Sequence, residues 1–271
     1  MVNAAAAAGS HDVLLITLDA LRYDAAALAL SAGQTPFLQS VLPGGKWEAR
    51  HTPGNFTYAA HHAFFAGYLP TPVTPGPHPR LFAARFQGSQ TTGPGTWTFD
   101  APDIVSGLAS AGYHTVCIGG VGFFNKQNPL GLVFPSLFAE SHWSPEMGVT
   151  GRESTRRQVD LAVRILTARA AQPVLLFINV SAIHQPNRDY LPGAEKDSVE
   201  SQRAALAYVD SQLPPLFAAF EARRRPVLAV VTSDHGTAYG EDGYHGHRVN
   251  HPVVWTVPYA ELIVNPEVSR Q

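Results

Sequence analysis

Four short stretches of the chain are almost unbroken runs of apolar side chains: residues 13–18, 113–118, 173–180 and 227–232. Runs this short and continuous are strands buried on both faces, as at the centre of an α/β sheet. Between them the apolar positions recur at helical spacing. Residues 22–41 read as helix with a break near Gly33, 58–67 as helix, and 103–112 as an amphipathic helix closed by Gly112. Residues 152–171 and 198–223 read as further helices, the second bent at Pro214-Pro215. A short strand is expected over 47–51 and a final one within 255–264. Strands alternating with helices predict an α/β fold, a mainly parallel central sheet sandwiched between helices, in one domain spanning 1–271. Residues 70–95, rich in Pro, Gly and Thr, read as a surface excursion. The irregular, aromatic and glycine-rich 119–147 reads as a wall of a binding cleft.

Composition narrows the function classes. Nineteen Lys and Arg against 21 Asp and Glu give a net charge of −2, so no attraction to nucleic acid or to an anionic membrane is expected. No segment reaches the ~20 apolar residues of a membrane span. The single cysteine, Cys117, excludes an internal disulfide and a thiolate zinc cluster, and its apolar neighbours place it in a strand. The alanine run after Asn3 lacks the basic start and leucine-rich centre of a secretory leader, so the expected compartment is the cytoplasm. Twelve histidines hint at metal or proton chemistry.

That hint gains substance where polar residues meet strand ends. Asp19 follows the first apolar run, His184 lies just beyond the third, and Asp234-His235 follow the fourth. In open α/β sheets this edge is where ligands bind. Carboxylates and imidazoles gathered there suit a divalent cation, zinc above all, with manganese, magnesium or calcium as alternatives. Thr57 stands in a glycine-containing loop ahead of a helix. It reads equally as a helix cap or as a nucleophile that a metal could deprotonate. His61 and His62 open that helix, and one of them is expected to face the cleft. Arg22 with Asp24 reads as a surface ion pair, and Arg223-Arg224-Arg225 as a charge cluster ending a helix. Phe123, Phe124 and Trp143 suit either an organic pocket or the core.

Taken in order, strand-Asp19, Thr57-Tyr-Ala-Ala-His61 with Gly67 and Pro70, His184-Gln-Pro, and Thr-Ser-Asp234-His235-Gly236 resemble the alkaline phosphatase superfamily. That group includes sulfatases, nucleotide phosphodiesterases, phosphoethanolamine transferases and lipoteichoic acid synthases. Residues 180–187 further resemble an uncharacterised bacterial branch associated with radical-SAM gene clusters. The resemblance implies a metalloenzyme acting on a small-molecule phosphate ester through a phosphothreonine intermediate, by hydrolysis or transfer. Thr57, Asp19, Asp234 and His235 would hold the principal metal. His184 matches a histidine used for a second metal or for the phosphate. The last family histidine falls on His245 or His247, with His245 preferred because Tyr244-His245-Gly246 resembles the transferase form. Thr57, His184 and His245 are thus the expected catalytic set. Residues 179–184 hold no carboxylate, which favours one principal metal and leaves a second open. The sulfatase Cys/Ser-x-Pro-Ser-Arg segment is absent, and Gly119-Gly120 lacks the following lysine, so phosphoryl chemistry is expected ahead of sulfate or phosphonate ester hydrolysis. A catalytically degenerate protein that binds a metal and a phosphorylated ligand is the remaining reading.

Overall fold

The computed structural model describes residues 3–69, 82–83, 85–88, 96–99 and 101–266. Most of the 70–95 excursion, including Pro70, lies outside them. In chain order the helices are α1 (Ala4–Ala7), α2 (Tyr23–Ser31), α3 (Pro36–Val41), α4 (Thr57–Ala66), α5 (Ile104–Ser110), α6 (Pro129–Leu132), α7 (Ser154–Ala168), α8 (Val199–Gln212), α9 (Pro214–Glu221) and α10 (Pro252–Trp255). The strands are β1 (Asp12–Leu18), β2 (Glu48–His51), β3 (His114–Ile118), β4 (Glu140–His142), β5 (Val174–Val180), β6 (Val227–Thr232), β7 (Ala238–Tyr239), β8 (His245–Gly246) and β9 (Thr256–Val264).

Seven strands form one sheet in the order β2-β9-β6-β1-β5-β3-β4. β1 pairs in parallel with β5 and β6, and β3 with β5 and β4. β9 alone runs against its neighbours β6 and β2. The mainly parallel α/β sheet read from the apolar runs is the observed one. The strand period of two divides its side chains between two cores. Leu14, Ile16 and Leu18 of β1 join Val174, Leu176, Ile178 and Val180 of β5 in the core beneath α2, α7, α8 and α9. Leu175 and Phe177 point the other way, into an aromatic core with Phe65, Phe124, Phe134 and Phe138.

The helical stretch 22–41 is two helices, because Thr35 and Pro36 restart the chain at α3 with proline in its first turn. Residues 198–223 likewise divide at Leu213, ahead of Pro214, into α8 and α9. Ser198 opens α8 with a reciprocal capping box to Ser201, and Asp103 opens α5 in the same way with Ser106. Within 119–147 the sheet gains β4, a three-residue edge strand beside β3. Arg223 is not in a surface charge cluster. Its guanidinium is buried and donates to Asp12 Oδ2 at 2.7 Å, and to the carbonyls of Leu166, Arg169 and Gln172.

Candidate metal centre and active site

Because β1 and β6 are parallel neighbours in register, Thr17 opposite Thr232, the residues that follow them emerge side by side. Asp19, Asp234 and His235 are all fully buried there. Asp234 Oδ1 accepts from the N–H groups of Ala20 at 3.2 Å and His235 at 3.0 Å. Asp19 Oδ2 accepts from Asn179 Nδ2 at 2.9 Å. The other oxygens, Asp19 Oδ1 and Asp234 Oδ2, have no hydrogen-bond partner. His235 donates its Nδ1–H to the Gly236 carbonyl at 2.8 Å, which leaves Nε2 with a lone pair. That nitrogen lies 3.8 Å from Asp19 Oδ1 and 3.5 Å from Asp234 Oδ2. One ligand atom from each of the three residues falls within 4.8 Å of the others.

Burial, reinforced by the neighbouring Asp234 charge, pushes the Asp19 carboxyl above its ordinary range. Burial does the same to Asp234 and pushes the His235 imidazole down. Two unsatisfied carboxylate oxygens and an imidazole lone pair, buried and converging, are costly on their own. A divalent cation relieves that cost, and the oxygen and nitrogen donors present fit one.

Thr57 is the first residue of α4, and the preceding Phe56 makes no side-chain cap. The helix-cap reading of Thr57 therefore does not describe it. Its Oγ1 stands 3.3 Å from His235 Nε2. A Cβ on Gly54 would lie 2.5 Å from the Ala60 nitrogen, so only glycine lets the incoming loop pack this closely on the first turn. His61 donates Nδ1–H to the Thr57 carbonyl at 2.7 Å, and its Nε2 accepts from Thr17 Oγ1 at 3.1 Å. Burial holds His61 neutral, with its pKa lowered to about 3. His62 is stacked on Phe82 and Phe99, with centroids at 4.8 and 4.3 Å. Both histidines are buried, and neither lines the cleft beside Thr57.

That cleft, about 350 Å³, is lined by Thr57, His184 and His247 and by a wall from Val121, Phe123 and Asn125 onward. The His247 ring sits 4.7 Å from His235 and 5.8 Å from His184, centroid to centroid. Burial, then the neighbouring His235 and His184, lowers its pKa to about 3. His184 donates Nδ1–H to the Gln185 carbonyl at 2.6 Å, leaving Nε2 as an acceptor. His245 is exposed on β8 and does not line the cleft. The fold thus gathers Asp19, Thr57, His184, Asp234, His235 and His247, and leaves His245 outside. Phe124 belongs to the core, while the Trp143 indole N–H is committed to the Gly120 carbonyl at 2.9 Å.

Arg22 is buried rather than at the surface. Its guanidinium is shared between Asp24, at 2.8 Å from Nε, and Glu241 at the start of the β7–β8 turn. Glu241 accepts in turn from the Tyr239 N–H at 2.6 Å, and the Tyr239 hydroxyl accepts from Asn187 Nδ2 at 2.9 Å. Asn187 also holds the Ile183 carbonyl at 2.9 Å. The segments bearing His184 and His247 are therefore tied to each other and to the chain just after Asp19. Asn179, which orients Asp19 and takes the Val121 N–H at 2.9 Å, escaped the sequence reading. A lone amide inside a fully buried strand was its signal.

A family model described as sulfatase matches residues 11–259. Among solved structures, the C-terminal periplasmic domain of phosphoethanolamine transferase EptC from Campylobacter jejuni superposes with a TM-score of 0.63 at 11% identity, covering 94% of this chain and 80% of that one. The soluble domain of lipooligosaccharide phosphoethanolamine transferase A from Neisseria meningitidis gives 0.64 at 14%, covering 94% and 78%. The lipoteichoic acid synthase LtaP from Listeria monocytogenes gives 0.63 at 13%, covering 98% and 67%. No curated protein sequence matches the chain significantly. Among the described residues, no helix is long and apolar enough to cross a membrane.

Proposed function

The chain belongs to the sulfatase family, whose enzymes act on phosphate and sulfate esters, and on that premise we propose that it is a metal-dependent hydrolase or transferase of a small-molecule phosphate ester, with Thr57 as nucleophile. One observation carries the reading: the unsatisfied oxygens of Asp19 and Asp234 and the free Nε2 of His235 converge where the Thr57 hydroxyl also arrives.

Asp19, Asp234 and His235, with Thr57 beside them, would hold one divalent cation, zinc foremost. When bound, that cation supplies Lewis acidity, which makes a threonine hydroxyl nucleophilic near neutral pH and offsets phosphoryl charge. The remaining work falls to this chain. The uncapped first turn of α4 leaves backbone N–H groups and the positive end of a ten-residue helix for the anionic ester. His61 pins the Thr57 carbonyl, which fixes the hydroxyl against the His235 edge. Thr57 Oγ attacks phosphorus, the P–O bond to the alcohol breaks, and a phosphothreonine forms. Water or an acceptor alcohol then attacks the same phosphorus and returns Oγ to the hydroxyl. His184, whose Nε2 is an open acceptor, and His247 line the same cleft and can take the proton that the Thr57 hydroxyl gives up, hand it to the leaving oxygen, then take one from the incoming hydroxyl and return it to Oγ.

The test is turnover of 4-nitrophenyl phosphate and metal content, measured on wild type and Thr57→Ala. Expected are about one metal per chain in both and turnover in wild type alone; substantial residual turnover in the variant sinks the assignment. A sulfate ester is the second reading, favoured by the family itself. Cys117 does not support formylglycine chemistry, because its thiol is buried in β3 and pushed up by that burial. A higher rate on 4-nitrophenyl sulfate than on the phosphate would reverse the ranking. A loaded metal site without turnover of either ester would point to a binding protein.

A further inference from the structure

The wall of the cleft opposite the metal ligands is a single folded-back loop. It runs through the turn Gly122–Phe124 into α6, and the Lys126 N–H closes it on the Gly131 carbonyl at 3.1 Å. Its apolar contribution is Val121, Phe123 and Leu130, joined by Val149. Its polar contribution is two amides, Asn125 and Asn128. Both carbonyl oxygens are already used. Asn125 Oδ1 accepts from the Gln127 N–H at 3.0 Å, and Asn128 Oδ1 accepts from the Gly131 N–H at 2.8 Å. The loop backbone therefore fixes which way each amide faces, and what remains for a ligand is the Nδ2 end, a donor only. Gly131 is part of that device, since a Cβ there would lie 2.3 Å from Asn125 Oδ1.

From these features we infer that the cleft beside Thr57 holds the organic group of the ester, and that this group is a flat, apolar one bearing a hydrogen-bond acceptor: an aryl or similarly compact alcohol carrying a carbonyl or ether oxygen. The inference rests on the phosphate-ester reading of the site and adds the substrate class. Phe123, half-buried beside Tyr58 with centroids 5.4 Å apart, presents a ring to stack on. The volume, about 350 Å³, is at the small end of ligand sites and suits one ring rather than a lipid or an oligosaccharide. Among the described lining residues no carboxylate is available to take an ammonium group.

The experiment is equilibrium binding by calorimetry to the Thr57→Ala protein, purified without chelator. The ligands are inorganic phosphate, phosphoethanolamine, phenyl phosphate and 4-acetylphenyl phosphate. Removing about 60 Å² of a ring from water corresponds to roughly tenfold in affinity. Phenyl phosphate is therefore expected about tenfold tighter than phosphoethanolamine, and 4-acetylphenyl phosphate tighter again. Adding Phe123→Ala should bring phenyl phosphate down to the affinity of inorganic phosphate. Adding Asn125→Asp, which keeps the acceptor for Gln127 and loses the donor, should erase the advantage of the acetyl group alone. Equal or tighter binding of phosphoethanolamine, or a phenyl preference that survives Phe123→Ala, overturns the substrate class while leaving the phosphate-ester reading standing. Failure of every ligand to bind, inorganic phosphate included, removes that reading and the inference with it.

Discussion

Replacing Asp234 by asparagine should make the metal-free protein more stable and the metal-loaded protein less so. In the fold, Asp234 Oδ1 takes two backbone N–H groups, while Oδ2 faces the equally unsatisfied Oδ1 of Asp19. Asparagine keeps the first oxygen and puts an N–H donor in place of the second. Ligand atoms of the pair lie within 4.8 Å of one another. At that separation and an effective dielectric of about 20, two full charges repel by about 3–4 kcal/mol. Relaxation and water entry are expected to leave about half of that, roughly 2 kcal/mol, which for a chain of this size moves the melting temperature by about 4–8 °C. Loading wild type with zinc at 100 times its dissociation constant contributes about 2.7 kcal/mol in the opposite sense, and the variant, having lost a charged ligand, gains less. The assay is thermal unfolding at pH 8, where both carboxyls are ionised, with chelator and then with zinc. The order of the two proteins should invert between the conditions. If Asp234→Asn melts below wild type in chelator, the two oxygens do not oppose each other uncompensated. If zinc leaves the order unchanged, they do not hold a cation.

His247→Ala should lower turnover at least about a hundredfold, the range of a lost acid–base or charge-stabilising group, whereas His245→Ala should stay within about twofold in the same steady-state assay. Burial among aromatic rings holds His62 neutral, its pKa lowered to about 4, so its contribution to stability is intact above the ordinary pKa of 6.5 and is lost as pH falls from 6.5 towards 4. The urea midpoint of His62→Phe should accordingly drop less than that of wild type between pH 7 and pH 4.5; an equal drop refutes the assignment. Arg223→Ala leaves the fully buried Asp12 carboxylate with only the Val174 N–H and Arg225 at 4.0 Å, and should cost about 3 kcal/mol in denaturant unfolding, with a loss below about 1 kcal/mol counting against the buried pair.

The fold was legible wherever burial on both faces wrote a continuous run. β1, β5 and β6 appear within a residue or two of the apolar stretches, and Asp19, Asp234 and His235 were marked because each ends such a run. Elements that bury little left no such trace. β4 is three half-buried residues, all of them charged or polar (Glu140, Ser141 and His142), and β7 and β8 are two residues each. The preference for His245 over His247 went wrong for the same reason. Gly240, Asp242, Gly243 and Gly246 all take positive φ there, so neither the period of a strand nor that of a helix runs through the turn. Arg22 and Arg223 were misread as surface charges because a sequence displays charge without its partner. Glu241 lies 219 positions from Arg22, and Asp12 lies 211 from Arg223.

Those separations govern the order in which the molecule can assemble. Arg22 is made 219 positions ahead of Glu241, the carboxylate that accompanies it into the interior. Until Glu241 arrives, the segment after β1 has a cation to bury and only the half-exposed Asp24 to neutralise it. Closure of the region around Asp19 is thereby postponed until the β7–β8 turn has been made, as expected where pairing is long-range. A fragment ending after β6 would carry Asp19, Thr57 and His184 without the contacts that draw them together. The sheet edge that carries Asp19 thus acquires its shape only when β6 and the turn beyond it exist.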